Sequence, residues 1–245
     1  MMAQRWIIIF RQSLRGRWLA WFAAVGVIAL IGLFPLRTAL AMSDLQRIGF
    51  TARQIAGSIW YGRIGELHLR SQPLGTFEVE LEPTALLIGN VSMAFNRMDH
   101  PEGVLRGRLV AGLRRGIVDT SGRIAVGEMF APLPIEAMEL SDVTLLFRNG
   151  ICVEASGQMT PIVNGPIAAG FSGLSGKLQC DGERARFVLQ GQAGNERFEF
   201  YVHANGRYRA WMSVRSAAPE VNSSLAAFGF RPAPQGMMLS VDGRL

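Results

Sequence analysis

The sequence predicts a mainly β protein: a single N-terminal transmembrane helix followed by an exported antiparallel β-meander domain. That domain reads as a curved open sheet or a sandwich with few short helices. Three observations carry this expectation. One uncharged apolar run occupies residues 18–36, and no second run of that length occurs. Beyond about residue 50, apolar and polar residues alternate with period two, the pattern of strands that face a core on one side and water on the other. Turn dipeptides of hairpin type stand between the alternating stretches.

The run comes first. WLAWFAAVGVIALIGLFPL contains no Asp, Glu, Lys or Arg. As a helix rising about 1.5 Å per residue it would span roughly 28 Å, close to the thickness of the hydrocarbon layer. Trp18 and Trp21 suit an interfacial position, and Pro35 alone would disturb the helix near its far end. Arg5, Arg11, Arg15 and Arg17 precede it without an acidic residue, so residues 1–17 are expected in the cytoplasm and the bulk of the chain across the membrane. The resulting division is a cytoplasmic N-terminus at 1–17, a transmembrane helix at 18–36, a juxtamembrane linker at 37–49 and a periplasmic β-rich domain at 50–245. A cleaved signal sequence is the competing reading, because Ala39-Leu40-Ala41 fits the small-x-small cleavage pattern. Either way the same domain is exported.

The net charge of +6 arises in the first 41 residues, which hold five arginines and no acid. From residue 42 onward 20 basic residues face 19 acidic ones, so no basic face for a phosphate backbone is suggested and nucleic acid is excluded as a partner. The 28 glycines and 11 prolines call for many turns. The two cysteines, Cys152 and Cys180, lie in the part expected in an oxidising compartment, where an even pair reads as a disulfide; two separate buried thiols are the alternative. Closing a loop of about 29 residues would contribute roughly 3–4 kcal/mol in the chain-entropy treatment.

Residues 43–48 read as a short juxtamembrane helix capped by Ser43. Strands follow at Leu67/Leu69, Phe77/Val79/Leu81, Val91/Met93/Phe95, Val143/Leu145/Phe147, Phe198/Phe200/Val202 and Tyr208/Ala210/Met212/Val214. Asn149-Gly150, Asp181-Gly182, Gly194-Asn195 and Asn205-Gly206 are the hairpin signals. Pro132-Leu133-Pro134 marks a break near 131–135, either between two sheets or within one continuous curved sheet. Pro219 at a helix start and Gly229 at its stop frame one short helix, and a last strand runs through residues 237–241.

Catalytic patterns are missing. His68, His100 and His203 stand far apart, with no HExxH and no Cys/His cluster. Gly173 to Lys177 resembles a phosphate loop but has Phe171 at its first glycine position and Leu178 after the lysine. No GxSxG occurs. Glu128, Glu136, Glu139 and Asp142 form the densest acidic stretch, which reads as a solvated strand edge. No enzyme, metal or cofactor is expected.

The run Gly57-Ser58-Ile59-Trp60-Tyr61-Gly62-Arg63, shortly behind a single N-terminal anchor, resembles the type II secretion system protein N family. Leu140-Ser141-Asp142, the Cys152/Cys180 pair, Asn205-Gly206-Arg207-Tyr208 and Phe228-Gly229-Phe230 resemble it too, in the same order along the chain. The resemblance implies a bitopic inner-membrane protein of a Gram-negative bacterium. Its role would be a non-catalytic accessory part of the machinery that exports folded proteins across the outer membrane, with other subunits of that machinery as partners. Gly57, Ser58, Trp60 and Gly62 then read as a structural motif: glycines where backbones approach, and Trp60 plugging the start of the sheet or, if exposed, serving as a partner contact. A different class stays open: an anchored, curved sheet with an apolar concave face, binding lipid or lipopolysaccharide as a bridge-like carrier.

Overall fold

Alternation of period two becomes strand wherever one side finds apolar cover. The computed structural model describes residues 18–29, 32–42, 50–69, 72–97, 100–163, 174, 176–191 and 193–244. Among these, β1 (Phe50–Thr51), β2 (Gln54–Gly57), β3 (Gly62–Leu69), β4 (Gln72–Glu82), β5 (Asn90–Arg97), β6 (Leu105–Gly112), β7 (Arg115–Ala125), β8 (Ile135–Arg148) and β9 (Ile151–Val163) form one sheet. A second sheet holds β10 (Leu178–Asp181), β11 (Arg184–Gln190), β12 (Glu196–His203), β13 (Arg207–Val214), β14 (Arg231–Ala233) and β15 (Gly236–Arg244), in the order β10-β11-β12-β13-β15-β14. All strand pairings are antiparallel, and sequence neighbours are almost always sheet neighbours, so the fold is a meander. The helices are short: α1 (Leu36–Met42), α2 (Pro83–Leu86), α3 (Gly127–Phe130) and α4 (Pro219–Ala227). The predicted signals at Asn149-Gly150 and Asn205-Gly206 make the β8–β9 and β12–β13 turns. Pro219 opens α4, and Gly229, at φ +90°, follows its end.

The two sheets meet along β9 and β10. Cys152 and Cys180 form a disulfide there, with their Cα atoms 5.4 Å apart. The Cys152 N–H donates to the Gly182 carbonyl (3.0 Å), and Gln158 bridges Lys177 in antiparallel sense. One core then serves both sheets. Val143, Phe147 and Met159 from the first pack with Phe187, Leu189, Phe198, Met212 and Leu239 from the second. Pro132-Leu133-Pro134 falls inside the first sheet's run, between α3 and β8, whereas the change of sheet falls between β9 and β10. Residues 127–134 act as a plug instead: Phe130 is buried and sits edge-on to Phe198, Phe200 and Tyr208, Leu133 is buried beside it, and the Tyr208 hydroxyl donates to the Met129 carbonyl.

The apolar run departs from its expected form at its far end. Residues 18–29 are helical with exposed apolar side chains, and the Leu33 N–H still donates to the Ala29 carbonyl. Among the described residues no helix is long and apolar enough to cross a membrane. Phe34 and Pro35 leave the helix and join the β structure, and Leu36 begins α1 with its side chain buried in the smaller core of Ile64, Leu74, Phe77, Val79 and Leu105. Proline cannot donate to the preceding turn, so the break falls where its ring does. The expected helix at 43–48 lies outside the described residues.

The strands β6, β7 and β9 carry no clean alternation in sequence. Glycines and bulges are the reason: register shifts occur at Arg106/Arg108, Ile117/Thr120 and Thr120/Gly122. At Gly116 (φ +149°) a Cβ would fall 1.8 Å from the Leu145 carbonyl oxygen, so no side chain can keep the period there.

Candidate functional site

Two places gather the residues with functional potential. The first is the turn between β2 and β3, which holds Gly57, Ser58, Trp60 and Gly62. Gly57 has φ +91°, and a Cβ on it would lie 2.5 Å from the Tyr61 carbonyl oxygen. The Ser58 N–H donates to that same carbonyl (3.1 Å), and the Tyr61 N–H donates to Ser58 Oγ (3.3 Å). The turn then grips the end of the apolar run: Pro35 bridges Ser58, and the Ile59 N–H donates to the Phe34 carbonyl (3.0 Å). The Ile59 carbonyl accepts from Leu81 N–H on β4 (3.2 Å). A Cβ on Gly62 would meet Leu36 Cδ2 at 2.5 Å. The absent side chain at 62 is therefore the space into which Leu36 inserts. Trp60 is half-buried, whereas Tyr61 is 65 % exposed. The arrangement is a clasp joining the run to the sheet.

The second place is the outward face of the second sheet. In β10–β15 one set of alternate residues builds the core, and the other set faces out. Among the described residues this outward set carries seven arginines, Arg184, Arg186, Arg197, Arg207, Arg209, Arg231 and Arg244, against three carboxylates, Asp181, Glu199 and Asp242. The register brings them together: Arg186 opposes Tyr201, Tyr201 opposes Arg209, Glu199 opposes Trp211, and Arg209 opposes Asp242. An open groove of about 730 Å³ runs over Arg186, Arg197, Arg209, Trp211 and Met238, walled by the turn at Ala233-Pro234-Gln235.

Glu199 organises the floor. Its side chain is only 6 % exposed, which would be costly for a lone carboxylate. It is held by Arg197 and by Arg186 (3.5 Å), and it accepts from the Tyr201 hydroxyl (2.8 Å). Burial, followed by that hydrogen bond and the nearby negative charge, pushes the Tyr201 phenol above its ordinary range, so it stays a donor. Trp211 stacks on Tyr201 with ring centroids 5.0 Å apart, and the Arg184 guanidinium sits 4.4 Å from the same ring. Among the described residues Arg186 Nε is buried without a hydrogen-bond partner. A face that is net positive, aromatic and grooved can receive an extended segment with carboxylates or other anions.

Sequence reasoning missed this face. Near-neutral overall charge hid it, because the arginines lie on five strands and converge only through strand register. The signal available was their placement at alternate positions, 184/186 and 207/209, with Asp242 and Arg244 spaced the same way, beside a strand that alternates Arg197, Glu199 and Tyr201.

The remaining candidates stay apart. His100 belongs to the β5–β6 loop, where its Nδ1 accepts from the Glu102 N–H (3.2 Å), and its ring lies against Gly75. His68 Nδ1 contacts the Glu66 carbonyl (2.9 Å) on β3, and His203 ends β12. In the acidic stretch, Asp142 accepts from Ser121 Oγ (2.9 Å), an internal surface contact. Among the described residues no three His, Cys, Asp or Glu side chains come together as a metal site.

Comparison with known families settles the assignment. Residues 49–239 match the family model described as type II secretion system (T2SS), protein N. The chain belongs to that family. The match covers nearly the whole β structure, both sheets and the β2–β3 turn included, and makes the protein a component of type II secretion with other subunits of that system as its partners. No curated protein and no solved structure matched the chain in the corresponding searches.

Proposed function

We propose that this protein N family member is a non-catalytic inner-membrane accessory component that acts as a periplasmic scaffold or adaptor for export of folded proteins across the outer membrane. The apolar run ahead of Phe34 anchors it with the N-terminus in the cytoplasm, and the β structure stands on the periplasmic side. The observation that carries the adaptor role is the arginine-rich groove around Trp211: a chain that is nearly neutral from residue 42 onward concentrates seven arginines on one face. Such a face suits an acidic, extended segment of another secretion subunit, seated by charge and anchored on the aromatic ring. The clasp supports the same reading, since it ties the anchor to the first sheet through Leu36 and leaves no loose tether at that point.

The test is photo-crosslinking in intact cells on the full-length chain, with the crosslinker at Trp211 and, for comparison, at Val153 on the first sheet. Capture of secretion-system subunits from position 211, reduced by Arg197→Glu with Arg209→Glu, is the expected result. Equal capture from both positions, or none from 211, would rule out the groove as the docking site.

One observation favours a second reading, a lipid- or lipopolysaccharide-binding carrier. Leu81, Met93, Leu109, Ile117, Leu145 and Ala155 oppose one another across six successive strands, β4 to β9, and none of them is fully buried, although Met93, Ile117, Leu145 and Ala155 also pack against the protein's own cores. This apolar row across a sheet face could lie under acyl chains. Full-length protein purified in mild detergent that retains stoichiometric lipid by native mass spectrometry, and loses it in Leu109→Glu, would favour the carrier over the adaptor.

A further inference from the structure

The meander fixes which loops share an end of the first sheet. Strand direction alternates, so the β2–β3 turn, the β4–β5 connection, the β6–β7 turn and the β8–β9 turn all lie at one end. That is the end where the apolar run enters, because Phe34 is hydrogen-bonded to Ile59, and Ile59 to Leu81, the penultimate residue of β4.

This end is apolar in a way the rest of the first sheet is not. Leu87 is 88 % exposed, Ile88 68 %, Tyr61 65 % and Leu113 61 %, and Ile151 is exposed beside them. At the opposite end, among the described residues, Val104 is the one large apolar side chain counted as exposed. The loops are braced against each other. The Arg114 N–H donates to Asn90 Oδ1 (3.1 Å), and Leu113 lies so near Gly89 that a Cβ there would meet its Cδ1 at 3.3 Å. Three exposed arginines, Arg114, Arg115 and Arg148, border the apolar tips. Facing them at this end are Glu82, which accepts from Ser92 Oγ and pairs with Arg108, and Glu154.

Exposed Leu and Ile held on a rigid rim, flanked by arginines, match a lipid interface: the side chains enter the headgroup–acyl boundary while guanidinium groups meet phosphates. The occupant follows from chain continuity, since the same end receives the run that carries Trp18 and Trp21. We infer that this rim rests on the surface of the membrane that the apolar run ahead of Phe34 crosses, with Leu87, Ile88 and Leu113 inserted among the lipid headgroups. The inference rests on the anchor reading above and adds an orientation to it. The first sheet stands with its strand axes rising from the bilayer.

The experiment uses the full chain in vesicles of phosphatidylethanolamine and phosphatidylglycerol, with single cysteines introduced as Leu87→Cys, Val104→Cys or Val25→Cys. The native cysteines are engaged in their disulfide, so an environment-sensitive fluorophore reports one position at a time. The expected result at 87 is quenching by nitroxide lipids and shielding from iodide about threefold or more beyond that at 104, as for a side chain about 5–10 Å into the interface. Lipid quenching at 25 with free access of iodide to 87 would overturn the rim while leaving the anchor intact. Shielding at 87 without lipid quenching would mean that protein covers the rim, and would also overturn it. No lipid quenching at 25 would remove the anchor and the rim together.

Discussion

Removing the guanidinium of Arg97 should cost the domain about 3 kcal/mol. Arg97 ends β5, and only 1 % of its surface is exposed, yet among the described residues its hydrogen bonds go to backbone carbonyls. Its Nε donates to the Gly103 carbonyl (3.2 Å), Nη1 to the Leu74 carbonyl (3.2 Å) and Nη2 to the Arg123 carbonyl (2.6 Å). One side chain thereby ties the start of β4, the β5–β6 loop and the end of β7. Burial lowers the guanidinium's pKa, and Glu102 partly opposes that, but an arginine keeps its charge throughout the working range. In Arg97→Met the stem packing is retained and three acceptors are stranded. The Leu74 carbonyl is buried and pays the full desolvation cost of about 1–3 kcal/mol; the other two are partly wet and lose about 0.5–1 kcal/mol each. At about 2–4 °C per kcal/mol for a domain of this size, the melting midpoint should fall by about 6–12 °C. Arg97→Lys should fare little better, because an ammonium donates from a single point and cannot reach three diverging carbonyls. The assay is thermal unfolding of the full-length protein in detergent, followed by tryptophan fluorescence. A fall of less than about 2 °C in Arg97→Met would show that the three carbonyls find other donors and that the knot does not hold the loops.

Other perturbations have equally definite outcomes. Cys152→Ser removes the covalent link between the two sheets and should destabilise by about 3–4 kcal/mol on the chain-entropy estimate for its loop; reductant should shift the wild type by the same amount and leave the variant unmoved in melting experiments. Gly57→Ala places a Cβ at φ +91° within 2.5 Å of the Tyr61 carbonyl oxygen, and should cost about 1–3 kcal/mol of strain, seen as a lower melting midpoint and faster proteolysis near the clasp. His100 has its pKa lowered below the usual 6.5, by burial first and by Arg97 second, with Glu102 opposing. The unfolded chain therefore binds a proton more readily than the folded one. Stability from this group is full above about pH 6.5 and is lost as the pH falls from there toward the folded pKa. Chemical denaturation between pH 7.5 and 5 should show a loss in the wild type that His100→Gln lacks.

The sequence by itself determined the class of fold and four of the hairpin turns, β8–β9, β10–β11, β11–β12 and β12–β13. Strands around Phe77, Val143, Phe198 and Tyr208 were legible because each must keep one side dry, and that requirement writes a period of two directly into the chain. Asn149-Gly150, Asn205-Gly206 and Gly229 were legible because only a few residues tolerate positive φ. The pairing of Cys152 with Cys180 was legible from compartment chemistry. Tertiary structure alone decided what depends on register and closure. The strands β6, β7 and β9 were hidden because glycine at 116, 122 and 157 answers to a neighbouring backbone rather than to a face. Pro132-Leu133-Pro134 left open a break between two sheets or a turn within one; it is part of a plug, and a buried Leu133 cannot be told from a loop leucine until its neighbours are known. The arginine face exists only because β11 to β15 align residues up to about 60 positions apart in sequence. The last residues of the apolar run show the same limit: composition assigned Pro35 and Leu36 to the bilayer, but the missing side chain of Gly62 opened a space in the protein that Leu36 fills.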